Sequence, residues 1–193
     1  MNIVFATNNQ HKVSEINHII GNKFSIVSLK DINILEDIPE TQNTIEGNAV
    51  QKAYYVYNNY GYNCFADDTG LEVMALNNRP GIYSARYAGP ECSSIKNMAK
   101  LLEEMKNQTN RSARFRTVIA YIEENNTYTF EGIIKGTISY KPTGNKGFGY
   151  DPIFIPDGFS LTFAEMNLEH KNAISHRGQA LKKFVRFLTS RYN

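Results

Sequence analysis

Ile3 to Ala6 form a short apolar run that ends in the polar stretch Thr7-Asn8-Asn9-Gln10-His11-Lys12. Val13, Ile16, Ile19 and Ile20 then recur at helical spacing up to Gly21. The pattern predicts a strand, a polar turn and a helix. Phe24 to Leu29 predicts a second strand, and Asp31 to Gln42, carrying Pro39, a loop. In the next helix Asn43 is the expected N-cap, with Glu46 three residues on to complete a capping box. Ile45, Ala49, Ala53 and Tyr57 share one face of it, and it should run to about Tyr60 and stop at Gly61. Cys64-Phe65-Ala66 predicts a short strand delivering Asp67-Asp68-Thr69-Gly70 to its C-terminal end. Leu71 to Leu76 continues from there to a turn at Asn77-Asn78.

Arg79 to Cys92, with two prolines and two glycines, predicts irregular structure. From about Ser94 a helix places Ile95, Met98, Leu101, Leu102 and Met105 on one core-facing stripe. Residues 113–123 and 127–139 are rich in β-branched and aromatic types around Asn125-Asn126 and predict a hairpin, with Gly132 and Gly136 marking bulges or close packing. After a loop from Gly144 to Pro152, Ile153-Phe154-Ile155 reads as a strand and Thr162 to Met166 as a short helix. A longer helix then carries Ala180, Leu181, Phe184, Val185 and Leu188 as its apolar stripe. Helices interleaved with strands and followed by a hairpin imply an α/β fold with a mixed sheet. No internal repeat or linker divides the chain, so residues 1–193 read as a single domain.

Composition narrows the function. With 41% hydrophobic residues the 193-residue chain can bury a core, and no apolar run approaches the ~20 residues of a membrane helix. A net charge of +2 argues against the broad basic surface of a nucleic-acid binder, so neither nucleic acid nor membrane is an expected partner. Cys64 and Cys92 are too few for a disulfide framework and sit in no metal-like cluster, and the N-terminus lacks the basic flank of a signal peptide. Both point to a reducing, cytoplasmic setting.

Four segments carry candidate chemistry. Thr7 to Lys12 lie where a strand meets a helix N-terminus, a position that favours phosphate, although without P-loop glycines a polar turn with a solvated lysine remains the alternative. Asp67-Asp68 at a strand end suits a hard cation such as Mg²⁺, or an ordinary turn; one carboxylate would face the metal and the other organise the loop, with Glu40 as a second oxygen ligand. Lys171, His176 and Arg177 offer donors to phosphate or to the edge and keto oxygen of a base, against plain capping or solvation for the histidine. Phe148-Gly149-Tyr150-Asp151 combines aromatic faces with a carboxylate that can recognise N–H donors. Together these are the parts of a nucleotide site.

Six segments occur in the order and spacing of one family: Thr7 to Lys12, Glu40 through Asn48-Ala49, Ala66 to Leu71, Pro80 to Tyr87, Gly147 to Pro152, and Ile174 to Gly178. Over nearly its whole length the chain resembles the inosine/xanthosine triphosphate pyrophosphatases. The resemblance implies an elongated mixed α/β fold with two lobes around a central nucleotide-binding cleft, and a homodimer. It also implies Mg²⁺-dependent hydrolysis of ITP, dITP and XTP to the monophosphate and pyrophosphate, which clears deaminated purines from the nucleotide pool. By position Asp68 is the family's essential acidic residue and Glu40 its companion around Mg²⁺. Thr7, Asn8, Asn9, Gln10, His11 and Lys12 match the triphosphate loop, with Thr69 following the acidic pair. Phe148, Gly149, Tyr150, Asp151, Lys171, His176 and Arg177 match the residues around the base. Thr69 replaces a common Ser and keeps the hydroxyl, whereas Ile45-Glu46-Gly47 departs from a Phe-containing lead-in and leaves the role of Glu46 open. A pyrophosphatase for modified pyrimidines and a catalytically silent nucleotide-binding module are the alternatives. The Phe148 to Asp151 and Ser175 to Arg177 elements favour purines, and Lys12, Glu40, Asp67 and Asp68 favour catalysis.

Overall fold

A computed structural model describes residues 2–20 and 24–192; Gly21, the expected end of the first helix, lies outside them. Strand β1 (Asn2–Phe5) passes through the polar turn into α1 (Gln10–Ile20), as the pattern predicts. Strand β2 (Ser25–Ser28) runs parallel to β1 and is followed by α2 (Ile45–Tyr60). Strand β3 (Cys64–Val73) is also parallel to β1, and its last residues pair antiparallel with the two-residue β4 (Arg79–Pro80). Then come α3 (Ser94–Glu104), the hairpin of β5 (Ser112–Glu123) and β6 (Asn126–Ile138), and β7 (Phe154–Pro156), antiparallel to β6. Helices α4 (Leu168–Ile174) and α5 (His176–Tyr192) complete the chain. The hydrogen-bonded order is β2-β1-β3-β5-β6-β7, with β4 on β3. Parallel and antiparallel neighbours in one sheet, with helices flanking it, make the mixed α/β fold the alternation implied.

The chain divides into two compact units, Met1–Asp68 with Thr117–Gly132 and Arg177–Asn193, and Thr69–Arg116 with Ile133–His176. In the first, the parallel register sets Phe5 opposite Phe65, and their rings stack at 4.5 Å with planes 2° apart. Such a pair adds about 0.5–1.5 kcal/mol beyond its buried area. Phe184 of α5 closes on Phe65 at 4.9 Å, which explains the apolar stripe of that helix. In the second, Met98 and Leu101 of α3 and Met105, which caps its C-terminus, are buried with Phe115, Phe154 and Phe163. Ile95, expected on the same stripe, is 77% exposed, because the packed face of α3 begins one turn later at Met98.

Three local expectations need correction. The cap of α2 is Thr44, whose Oγ1 accepts from the Gly47 N–H at 2.9 Å; starting there turns Ile45, Ala49 and Ala53 inward and leaves Glu46 exposed, outside a capping box. Segment Thr162 to Met166 is a run of turns, because its backbone bonds to distant segments: the Phe163 N–H donates to the Phe154 carbonyl and the Lys146 N–H to that of Ala164. The third correction concerns the acidic pair. Strand β3 does not stop before it but runs through Asp67, Asp68, Thr69 and Gly70, so both carboxylates stand mid-strand.

Candidate functional site

Mid-strand placement sharpens the division between the two aspartates, because successive strand residues point to opposite faces. Asp67 has no exposed side-chain surface. Its Oδ1 accepts from Lys12 Nζ at 2.7 Å and its Oδ2 from Arg177 Nε at 3.3 Å, and Arg177 also pairs with Glu15 of α1. Asp68 faces α2, where its Oδ1 accepts from Lys52 Nζ at 3.2 Å and its Oδ2 from Asn48 Nδ2 at 3.4 Å. The same Lys52 ammonium donates to Glu40 Oε1 at 2.5 Å. Glu40 is held near α2 by its loop: the Thr41 N–H donates to Gln51 Oε1 and the Gln42 N–H to Asn48 Oδ1.

These partners set opposite protonation tendencies. Burial would raise the Asp67 carboxyl, but the charges of Lys12, Arg177 and Lys52 overcome it and hold the group well below the usual carboxylate range. Burial also pushes up Asp68, and there it prevails over Lys52 and Lys12, with Glu40 and Asp67 adding to the rise. One residue is thus a fixed anion, and its neighbour is a carboxylate more ready to accept a proton. Lys12 is lowered by burial despite Asp67, whereas Lys52 is raised because Asp68, Glu40 and Asp67 outweigh its burial.

In the Thr7 to Lys12 turn, Asn8, Asn9, Gln10 and His11 are exposed, and Thr7 and Lys12 are half-buried. Asn9 Oδ1 accepts from the N–H groups of His11 and Lys12, so the helix start reserved for phosphate is capped by its own side chain here.

The second unit places its predicted residues in a different setting. Asp151 Oδ2 accepts from Lys171 Nζ at 2.7 Å and from the Phe148 N–H at 2.8 Å, and both side chains of the ion pair are 5% exposed. Gly147 has φ +71°, and a Cβ there would meet Asp151 Oδ2 at 2.1 Å, so only glycine lets the loop close on its carboxylate. The ammonium of Lys171 lies 5.0 Å from the centre of the half-buried Phe148 ring. Gly149 and Thr69 are half-buried, and Tyr150 is buried with its hydroxyl donating to the Ser84 carbonyl. His176 is 3% exposed and stacks on Phe115 at 4.6 Å. Of the basic trio, Lys171 pairs with Asp151 and faces the Phe163 ring, His176 stacks on Phe115 beside that same Phe163 ring, and Arg177 pairs with Glu15 and Asp67.

Sequence reasoning brought Glu40, Asp67, Asp68 and Lys12 forward, and the structure gathers them. It passed over Lys52 and Glu15, and quoted Asn48 in a motif without giving it a role. The signal was present on α2, where Asn48 and Lys52, four apart, stand on a buried face otherwise formed by Ile45, Ala49, Ala53 and Val56. Among the described residues no three His, Cys, Asp or Glu side chains form a metal-holding group, and the two carboxylates that meet at one cation are Glu40 and Asp68 at Lys52.

A protein-family model described as the Ham1 family matches residues 3–187. A dITP/XTP pyrophosphatase of Flavobacterium johnsoniae is 55% identical over 190 residues, covering 98% of this chain and 99% of that protein. One of Porphyromonas gingivalis is 52% identical over 187 residues, covering 96% of each. The solved Ham1 protein of Staphylococcus aureus superposes with a TM-score of 0.90 at 38% identity, covering 99% of this chain and all of that one, and a HAM1 protein of Coxiella burnetii superposes with 0.90 at 36%, covering 98% and 99%. Six collinear motifs, the matching fold and a family match over almost every residue agree: the chain belongs to the Ham1 family.

Proposed function

We propose that this protein hydrolyses dITP, XTP and ITP to the nucleoside monophosphate and pyrophosphate, with Mg²⁺, as a cytoplasmic homodimer that clears deaminated purines from the nucleotide pool. The observation that carries the reading is the unequal pair Asp67 and Asp68, one pinned by two cations and the other sharing a single ammonium with Glu40. It stands in a chain whose relatives are named dITP/XTP pyrophosphatases. Both cysteines are free thiols, in keeping with a reducing compartment, and no helix among the described residues is long and apolar enough to cross a membrane.

Glu40 and Asp68 already converge on one positive centre, and two carboxylates completed by substrate phosphates are a usual donor set for Mg²⁺, so these residues fit the ion. Bound there, it supplies Lewis-acid polarisation of the phosphate oxygens. Asp68 orients the attacking water and takes its proton. The water oxygen bonds to the α-phosphorus, the bond from that phosphorus to the bridging oxygen breaks, and pyrophosphate leaves with the bonding electrons. The Thr7 to Lys12 turn and Thr69 bind the phosphates. By their match to the family's base-contacting residues, Phe148 to Asp151, Lys171, His176 and Arg177 are assigned to the base, and a 6-amino group in place of the 6-keto oxygen would leave their donors unpaired.

Pyrophosphate release tests the reading. dITP, XTP and ITP should exceed dATP and dUTP in kcat/KM by at least about 100-fold, and comparable turnover of dATP would overturn it.

A further inference from the structure

Lys52 lies on a buried helix face with its ammonium 2.5 Å from Glu40 and 3.2 Å from Asp68, in the position a cation shared by those carboxylates would take. Its side chain is 8% exposed, and its four-carbon stem rises from the interior of α2, between the buried Ala49 and Ala53. The ammonium is therefore not a solvated surface charge that drifts into contact. The fold delivers it there, and Asn48, one turn earlier, donates to the other oxygen of Asp68.

From this geometry we propose that Lys52 is an internal counter-ion that occupies the two-carboxylate site in the nucleotide-free protein, so that a divalent cation binds poorly alone and well only together with a polyphosphate. The inference rests on the reading of Glu40 and Asp68 as the metal pair. A divalent ion entering without nucleotide must displace a buried ammonium from both of its carboxylates, or else two positive centres share Glu40 and Asp68. An incoming polyphosphate supplies the negative charge that Lys52 gives up. Coupling between metal and nucleotide then arises without any change of fold, and couplings of this kind commonly amount to about 5–150-fold.

The test is Mn²⁺ binding, followed by electron paramagnetic resonance on the 193-residue chain without nucleotide. Lys52→Met and Lys52→Gln should bind Mn²⁺ at least about tenfold more tightly than the wild type, whereas Lys52→Arg, which keeps the charge, should not. Saturating pyrophosphate should narrow the gap. Equal affinities in wild type and Lys52→Met would overturn the proposal. Because removing the ammonium takes a counter-charge from both Glu40 and Asp68, thermal unfolding is followed in parallel. A variant stabilised by Mn²⁺ more than the wild type supports the idea, and one that stays unfolded at all Mn²⁺ concentrations makes Lys52 a purely structural residue and defeats it. Equal affinities in an enzyme that still turns over dITP sink the role of Lys52 alone. No Mn²⁺ binding and no dITP turnover in any of these proteins sink the reading beneath it.

Discussion

The two charged clusters follow opposite plans. In the first unit four carboxylates, Glu15, Glu40, Asp67 and Asp68, share three cations, and both Lys52 and Arg177 bridge two carboxylates each. In the second, Lys171 and Asp151 form one buried pair against the rings of Phe148 and Phe163. A network whose cations are each shared between carboxylates can take a further positive charge by releasing one of those shared contacts. The Lys171–Asp151 pair lies under aromatic cover, and through the Phe148 N–H its carboxylate holds a loop in shape. The first plan suits chemistry on a charged group, and the second suits a shaped frame for an uncharged one.

The largest expected effect falls on the carboxylate whose cation is shared. Asp68→Asn keeps the shape and removes the proton acceptor, so kcat should fall by about 10²–10⁴-fold while nucleotide still binds. Turnover like that of the wild type would remove Asp68 from the chemistry and erase the contrast with Asp151. Asp67→Asn should act on stability instead. It leaves Lys12 and Arg177 facing a neutral amide in a buried site, where breaking a charge pair costs about 3–5 kcal/mol. Urea unfolding measures the loss, and a change below about 1 kcal/mol would mean that Asp67 behaves as an exposed ion pair does.

Why the first cluster was half legible in the sequence follows from how each residue is brought in. Asp67 and Asp68 are adjacent, and alternation along any strand separates their faces, so their division could be read before their position in β3 was known. Glu40 and Lys12 stood in motifs. Lys52 and Glu15 stood on helix faces whose apolar neighbours alone were read as informative, and a polar residue on such a face announces a buried partner only once the partner's strand is placed. The same limit applies to Arg177. Seven residues span it and Lys171, yet α4 ends and α5 begins between them, at Ser175, and the two side chains reach different units. Local periodicity made the helices, the hairpin and the α/β class visible. The Thr162 to Met166 turns escaped it because their hydrogen bonds run to segments far along the chain.

Lys171→Met probes the other plan. It takes the ammonium away from a buried carboxylate, and should cost about 3 kcal/mol. The double variant Lys171→Met/Asp151→Asn should recover at least half of that, since no charge is then left unpaired. The substrate effect should appear in KM, because a slackened Gly147 to Asp151 loop weakens the frame without touching the reacting atoms. A fall in kcat at unchanged KM would move Lys171 into the chemistry and merge the two plans.

The smallest effects compare the helices that carry the two lysines. Thr44 caps α2 through the Gly47 N–H at 2.9 Å, and Asn167 caps α4 through the His170 N–H at 2.7 Å. Thr44→Ala and Asn167→Ala should each lose about 1 kcal/mol in chemical unfolding. Their consequences differ with helix length. Lys52 stands two turns inside a helix of 16 residues, which frays little when its cap is lost, whereas Lys171 is the fourth residue of a helix of only 7, where the uncapped turn is the one that carries it. Asn167→Ala should therefore raise KM as well as lower stability, while Thr44→Ala lowers stability at unchanged KM. Equal shifts in KM would show that both lysines are held by their ion pairs rather than by their helices.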